Sequence, residues 1–193
     1  MVSERLYYDN NSILAYLIRY CFPFLKNGGK FWCDDSRAWL VRVQHHRHMS
    51  IEKSFDGAFK RMRDRNWEKI YVLVDIHDTI LKACYNDEET HQWFPYAKEA
   101  LDIMSHAQQI SLILWTSTYD DIIADYLKHF KENGITFDMV NVNHETKNTD
   151  LSCFDEKTYF NVGIDDKFGF DAETDWEILY NYLVEGIRLG KFK

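Results

Sequence analysis

The spacing of apolar positions along the chain changes near residue 67. Before that point, residues 13–22 form an apolar-rich stretch that predicts a helix, and residues 50–65 carry apolar side chains at helical spacing. Residues 30–33 and 38–43 predict two short strands joined by a polar turn. We therefore expect a small α+β region over residues 1–66.

Beyond residue 67, short apolar runs alternate with amphipathic stretches. The apolar runs predict strands over residues 70–74, 110–115, 137–142 and 159–164. The amphipathic stretches predict helices over residues 96–108, 119–133 and 174–189, the second of which ends at Gly134. Strands that alternate with helices form a parallel sheet with right-handed crossovers. The pattern therefore predicts a doubly wound parallel α/β domain over residues 67–193.

Charge divides the chain at the same point. The net charge is −8, with 12 Lys and Arg against 7 Asp and Glu in residues 1–66, and 11 against 24 in residues 67–193. Eight basic residues lie close together in the sequence, namely Arg37, Arg42, Arg47, Lys53, Lys60, Arg61, Arg63 and Arg65. This basic stretch could bind nucleic-acid phosphates, could dock on the acidic half, or could be a solvated face.

Composition narrows the class of protein. With 193 residues and 46% hydrophobic residues, the chain can bury a core of ordinary size. No apolar run approaches the roughly 18 residues of a membrane span, and the first residues lack the basic and apolar segments of a signal peptide. The four cysteines are far apart and form no CxxC pair, which favours buried thiols over disulfides or a zinc knuckle. We expect a cytoplasmic protein without a membrane partner.

Polar side chains cluster at the ends of three predicted strands. They are Asp75, His77, Asp78 and Thr79 after the first strand, Thr116, Ser117 and Thr118 after the second, and Lys157 before and Asp165 and Asp166 after the fourth. Ligands in open parallel sheets gather beyond the carboxyl ends of the strands, so these groups are expected to converge. A carboxylate nucleophile, a hydroxyl, an ammonium group and further carboxylates suit phosphoryl transfer, and hard oxygen ligands favour Mg²⁺.

Each of these side chains also has a structural interpretation. Asp75 or Asp78 could cap the following segment, and Thr116 could cap the next helix. Asp165 and Asp166 could form a solvated turn, although adjacent carboxylates repel each other unless a cation lies nearby. Convergence of the strand ends favours a chemical role.

The order of these motifs resembles the haloacid dehalogenase-like hydrolase superfamily, in which DxDxT, a Ser or Thr, a Lys and an acidic pair follow one another. The resemblance covers roughly residues 70–189, with 161–167 as the strongest match after the first motif. It implies that Asp75 is a nucleophile that forms an aspartyl-phosphate. It further implies that Thr116 binds the phosphoryl group and that Lys157 neutralises it, with Lys147 as a competitor for that role.

The same resemblance implies a Mg²⁺ site and a phosphomonoester hydrolase of the small-cap or capless type. Asp75, Asp165 and Asp166 would hold the ion together with the backbone carbonyl of His77. The intervals 80–110 and 116–157 are too short for a large cap domain.

One position departs from the family pattern. The second aspartate of DxDxT, which acts as general acid and base, is His77 in this chain, and Asp78 stands where glycine is usual. Three hypotheses follow: His77 takes over proton transfer, Asp78 reaches the site instead, or turnover is impaired. In the third case the chain is a non-catalytic binding protein, associated with nucleic acid through its basic N-terminal region.

Overall fold

A computed structural model describes residues 51–83 and 91–191, all within one compact unit. The helix and strands predicted before residue 50 lie outside the described residues. The boundary at residues 66 and 67 stays a prediction.

Residues 51–64 form the first described helix, α1. Its apolar residues recur every three or four positions and are buried: Ile51, Phe55, Ala58, Phe59 and Met62. Asn66 ends the helix in the left-handed conformation, with φ of 54°. Its N–H donates to the carbonyl of Arg63, and the Trp67 N–H donates to the carbonyl of Met62. This pair of bonds is a Schellman motif, which satisfies two of the last carbonyls of the helix.

A four-stranded parallel sheet forms the centre of the fold. Its strands are β1 (Ile70–Asp75), β2 (Ile110–Trp115), β3 (Met139–Val140) and β4 (Val162–Ile164). They lie in the order β3-β2-β1-β4, and every neighbouring pair is parallel. The two central strands are almost fully buried, because apolar side chains cover both of their faces.

Three further helices complete the layers. They are α2 (Ala97–His106), α3 (Asp120–Glu132) and α4 (Asp175–Arg188). Gly134, with φ of 85°, ends α3, as its position in the sequence predicted. The fold is a Rossmann-like, doubly wound α/β domain, and the predicted fold class is confirmed.

The first and last helices share the core with the sheet. Phe55 of α1 contacts Tyr182 of α4, with ring centroids 6.0 Å apart, and the Tyr182 hydroxyl donates to Asp56 over 2.8 Å. Trp176 at the start of α4 is fully buried. In the described part of the chain, no helix has both the length and the apolar character needed to cross a bilayer.

Candidate functional site

Three carboxylates meet at the carboxyl edge of the sheet. Asp75 is the last residue of β1, and Asp165 and Asp166 follow β4, the strand that pairs with β1. One oxygen from each carboxylate lies within 4.8 Å of the other two. Asp165 is buried, Asp75 is partly buried and Asp166 is exposed. The sheet topology therefore brings together residues that are 90 positions apart in the sequence.

A short 3₁₀ turn, Asp166–Phe168, sets the direction of the acidic pair. The Asp165 side chain caps this turn by accepting from the Lys167 N–H over 2.7 Å. Gly169 ends the turn at φ of 89°, a conformation that glycine adopts without steric cost. One oxygen of Asp165 therefore accepts this backbone hydrogen bond. The cap leaves the second oxygen for another partner.

Thr79 connects the loop after β1 to this turn. Its side chain is fully buried, and its Oγ1 accepts from the Asp166 N–H over 3.2 Å. Its carbonyl accepts from the indole N–H of Trp176 over 2.7 Å. The loop, the turn and the start of α4 are therefore held together around the acidic cluster.

The cluster carries negative charge that its surroundings only partly offset. Burial raises the pKa of Asp75 to about 6, against a hydrogen bond from the Ile76 backbone that lowers it. The charges of Asp165 and Asp166 raise the pKa further, and the charge of Lys167 lowers it. A cation near Asp75 would relieve this repulsion.

His77 points toward helix α3. Its Nε2 lies 3.0 Å from the hydroxyl of the buried Tyr126, and the two rings meet edge to face with centroids 5.5 Å apart. Burial lowers the pKa of the imidazole, with the charge of Lys167 acting in the same direction and Asp78 acting against it. At neutral pH the imidazole is therefore mostly uncharged, with Nε2 engaged by Tyr126.

Asp78 supports the loop backbone. Its φ of 54° is left-handed, a conformation that glycine adopts more readily than other residues. Its carboxylate accepts from the Ala83 N–H over 3.1 Å, and its own N–H donates to the carbonyl of Leu81. Through these bonds Asp78 stabilises the conformation of the loop after β1.

Thr116 lies at the same edge, one residue beyond the Trp115 that pairs with Asp75. Its Oγ1 donates to the Thr118 hydroxyl over 2.9 Å and accepts from the Thr118 N–H. Asn141, just after β3, pairs with the backbone of Thr116 through both ends of its amide, at 2.8 Å each. These bonds hold the buried Thr116, which follows β2, to Asn141, which follows β3.

The lysines differ in their positions. Lys147 lines a cavity beside the residues that open β1, at the edge of the sheet opposite to Asp75. Lys157 is exposed and precedes Thr158, whose hydroxyl donates to the Asn141 carbonyl. Across residues 51–83 and 91–191, Lys157 forms no ion pair with the acidic cluster. Lys167 does so, since its Nζ lies 3.0 Å from Asp166.

Several supporting residues were not predicted from the sequence. Lys167 follows the acidic pair directly, so adjacency could have identified it, whereas Thr79 was predicted at the strand end but its hydrogen bond from the Asp166 N–H was not. Tyr126 and Asn141 lie in a helix and after a short strand without any motif around them. Only the packing of α3 and β3 brings them to the site.

The chain is similar to a protein of known structure. No protein family profile matches the chain, and no curated protein sequence matches it. A solved structure of a conserved protein from Bacteroides thetaiotaomicron matches with 23% identity and a TM-score of 0.48. The match covers 61% of this chain and 91% of that protein.

Proposed function

We propose that the chain is a Mg²⁺-dependent phosphomonoester hydrolase in which Asp75 forms an aspartyl-phosphate. The observation that carries this proposal is the meeting of Asp75, Asp165 and Asp166 at the carboxyl edge of the sheet. Such edges hold the ligands of open α/β sheets. The order of the motifs adds support through the family resemblance described above.

The donor set fits Mg²⁺. Three carboxylates offer hard oxygen ligands, and the charges of Asp165 and Asp166 add to the effect of burial in raising the pKa of Asp75, which a cation would offset. Asp75, Asp165 and Asp166 would hold the ion, with the backbone carbonyl of His77 as a further ligand. When bound, Mg²⁺ supplies positive charge that balances the phosphoryl oxygens.

Asp75 would carry the covalent chemistry. In the first step its carboxylate oxygen forms a bond to phosphorus while the bond from phosphorus to the ester oxygen breaks, and the leaving oxygen takes a proton from a general acid. In the second step water attacks phosphorus and gives a proton to the same group, now acting as base. The bond to Asp75 breaks, and inorganic phosphate is the product.

We assign the proton transfer to His77 rather than Asp78. The Asp78 carboxylate accepts from the Ala83 N–H, so a role in catalysis would cost the loop that bond. With Nε2 engaged by Tyr126, Nδ1 is the nitrogen of His77 that would exchange protons with the substrate. Because burial lowers the pKa of His77, the uncharged imidazole is favoured, and the protonated form that the first step needs is the minor form at neutral pH.

Thr116 and Lys157 would contact the phosphoryl group. Thr116 lies at the strand end beside the register position of Asp75, where a hydroxyl can donate to phosphate once Thr118 yields its bond. Lys157 is exposed and precedes Thr158, which bonds to Asn141 at this edge, whereas Lys147 belongs to the opposite edge. The second cation, Lys167, would change its partner from Asp166 when the metal binds.

The decisive experiment measures release of inorganic phosphate from a panel of phosphomonoesters, with Mg²⁺ and with EDTA. We expect Mg²⁺-dependent turnover that Asp75→Asn reduces at least a thousandfold, since it removes the nucleophile. Asp64→Asn is the matched control, because Asp64 is an exposed residue of α1 that pairs only with Lys60 in the described region. Equal turnover by Asp75→Asn and the wild type would contradict the proposal.

The role of His77 is tested by two variants. We expect His77→Ala to lower kcat by roughly 10²–10⁴-fold and Asp78→Asn, which keeps an acceptor for Ala83, to lower it much less. The reverse order would assign the proton transfer to Asp78.

One observation favours a second function. The residue two positions after Asp75 is an imidazole whose Nε2 is already engaged by Tyr126, so the site could retain the metal without turnover. In that case calorimetry would detect Mg²⁺ binding to the wild type that Asp165→Asn removes, while no ester on the panel is hydrolysed.

A further inference from the structure

An open cavity of about 570 Å³ lies at the amino end of β1. Residues that precede and open the strand form one side, and residues after β3 form the other. The acidic cluster lies at the opposite end of the same strand, a distance of about five residue steps of roughly 3.3 Å each. The cavity is therefore separate from the candidate active site, and its volume is typical of small-molecule sites.

One wall of the cavity is aromatic. Tyr159 makes edge-to-face contacts with Trp67, Tyr71 and Phe154, at centroid distances of 6.4, 6.2 and 5.3 Å. All four side chains are partly exposed. Because each ring is braced by another, the wall is a preformed surface on which a flat ring can stack with little loss of conformational entropy.

Besides Lys69, two cations line the rim of the cavity. The Arg65 guanidinium lies 5.2 Å above the Trp67 ring, and Lys147 is exposed on the other side. Neither forms an ion pair with any residue in the described ranges.

The carboxylates of the rim are partly compensated. Glu145 lies 2.6 Å from Lys69 and accepts from the Tyr71 hydroxyl over 2.9 Å, which leaves Glu68 as the second rim carboxylate. The hydrogen bond from Lys69 also keeps the pKa of Glu145 below its usual range, so Glu145 stays charged and paired with Lys69. The positive charge left for a ligand is therefore that of Arg65 and Lys147, opposed by Glu68.

We propose that this cavity binds a nucleotide unit, with the base packed against the aromatic wall and the phosphate held between Arg65 and Lys147. A flat aromatic ring joined to an anion is the ligand chemistry that the wall and the rim share. Arg pairs with phosphate through two parallel hydrogen bonds, and aromatic side chains stack on any base without sequence preference. The unit belongs either to a free nucleotide or to a single strand, and the site does not depend on the proposed phosphatase activity.

The two sources are distinguished by binding measurements in EDTA, which prevents metal-nucleotide binding at the acidic cluster. One arm titrates the full chain with AMP and ATP by calorimetry, and the other uses anisotropy of a fluorescent ten-residue oligothymidine. We expect saturable binding in at least one arm, weaker at higher salt. Mononucleotides that bind as tightly as the oligonucleotide identify a nucleotide site, and a preference of tenfold or more for the oligonucleotide identifies a strand site.

Variants locate the binding. The double variant Arg65→Ala, Lys147→Ala is expected to weaken it by about tenfold or more, and Trp67→Leu by a similar factor. Lys60→Ala, which removes an exposed cation on α1, is the matched control and should bind like the wild type. Asp75→Asn should also bind like the wild type, since Asp75 lies at the other end of β1.

Three results would overturn the proposal. They are the absence of saturable binding up to millimolar nucleotide and oligonucleotide, unchanged binding by the double variant with circular dichroism showing that it is folded, and loss of binding in Asp75→Asn. The last result would place the ligand at the acidic cluster. None of these three binding results depends on turnover. A chain without phosphatase activity would still show the expected binding, so the two proposals fail independently.

Discussion

At the scale of single residues, the acidic cluster carries a stability cost in the absence of a cation. Burial raises the pKa of Asp75 from 3.8 to about 6, and the neighbouring carboxylates add to this effect. Between about pH 4 and pH 6 the folded protein therefore holds a proton that the unfolded chain has released. The free energy of unfolding falls as the pH rises through this window and is lower by a constant amount above it.

The direction of this pH dependence predicts how Asp75→Asn changes the free energy of unfolding in EDTA. At pH 7.5 the variant should be more stable than the wild type by about 1–2 kcal/mol after allowance for solvent screening, because the amide has no charge to bury. At pH 4 the difference should approach zero, since the wild-type carboxyl is then mostly protonated when folded. Urea unfolding between pH 4 and pH 8 measures this difference, with Asp64→Asn as control. A difference that does not change with pH would contradict the assignment.

At the scale of elements, strand lengths follow from local hydrogen bonding. The strand β2 spans the residues predicted for it, because both of its faces are covered by apolar groups. The strand β3 is shorter than predicted since Asn141, with φ of 56°, leaves the extended conformation. The strand β4 starts at Val162, later than predicted, because the Asn161 side chain takes the place of a backbone acceptor for the Tyr71 N–H. Apolar content alone does not reveal either interruption.

The clamp formed by Thr79 also belongs to this scale, because it joins a loop, a turn and a helix. Thr79→Val keeps the shape of the side chain but removes the acceptor of the Asp166 N–H. We expect the free energy of unfolding to fall by about 1–2 kcal/mol, the cost of leaving a partly buried donor without its partner. Denaturant unfolding measures this change. The exposed Thr136, substituted in the same way, should change it by no more than about 0.5 kcal/mol.

A clamp with only a structural role would not change metal binding. Because Thr79 fixes the backbone of Asp166, Thr79→Val should also weaken Mg²⁺ binding, whereas Thr136→Val should not. Calorimetric titration of both folded variants with Mg²⁺ tests this point. Equal Mg²⁺ affinity in the two variants would limit Thr79 to a role in stability.

At the scale of the whole molecule, the sequence predicted the meeting of Asp75 with Asp165 and Asp166 but not the contacts that surround them. Alternating strands and helices place Asp75, Thr116 and Asp165 at one edge of a parallel sheet, since all parallel strands end on the same side. The partner of His77 was not predictable, because Tyr126 is one of several aromatic residues in α3 and only the packing of that helix selects it. The cavity at the opposite edge was also hidden, since Arg65, Lys147 and Tyr159 converge only after the sheet has formed.

The stability of the whole molecule tests whether the acidic cluster binds a cation. A ligand that binds only the folded protein raises the free energy of unfolding by about 2.7 kcal/mol at one hundred times its Kd. For a chain of 193 residues this corresponds to a rise in Tm of roughly 5–10 °C. Mg²⁺ should therefore raise the Tm of the wild type in a concentration-dependent way, and Asp165→Asn should remove most of the rise because Asp165 is the buried member of the cluster.

Controls separate this effect from general salt screening. Na⁺ at matched ionic strength should leave the Tm nearly unchanged, and Asp64→Asn should keep the full response to Mg²⁺. Stabilisation that survives in Asp165→Asn, or that Na⁺ reproduces, would mean that the three carboxylates form a solvated turn. An outcome of that kind would remove the metal from the proposed mechanism while leaving the nucleotide site intact, because the two lie at opposite ends of β1.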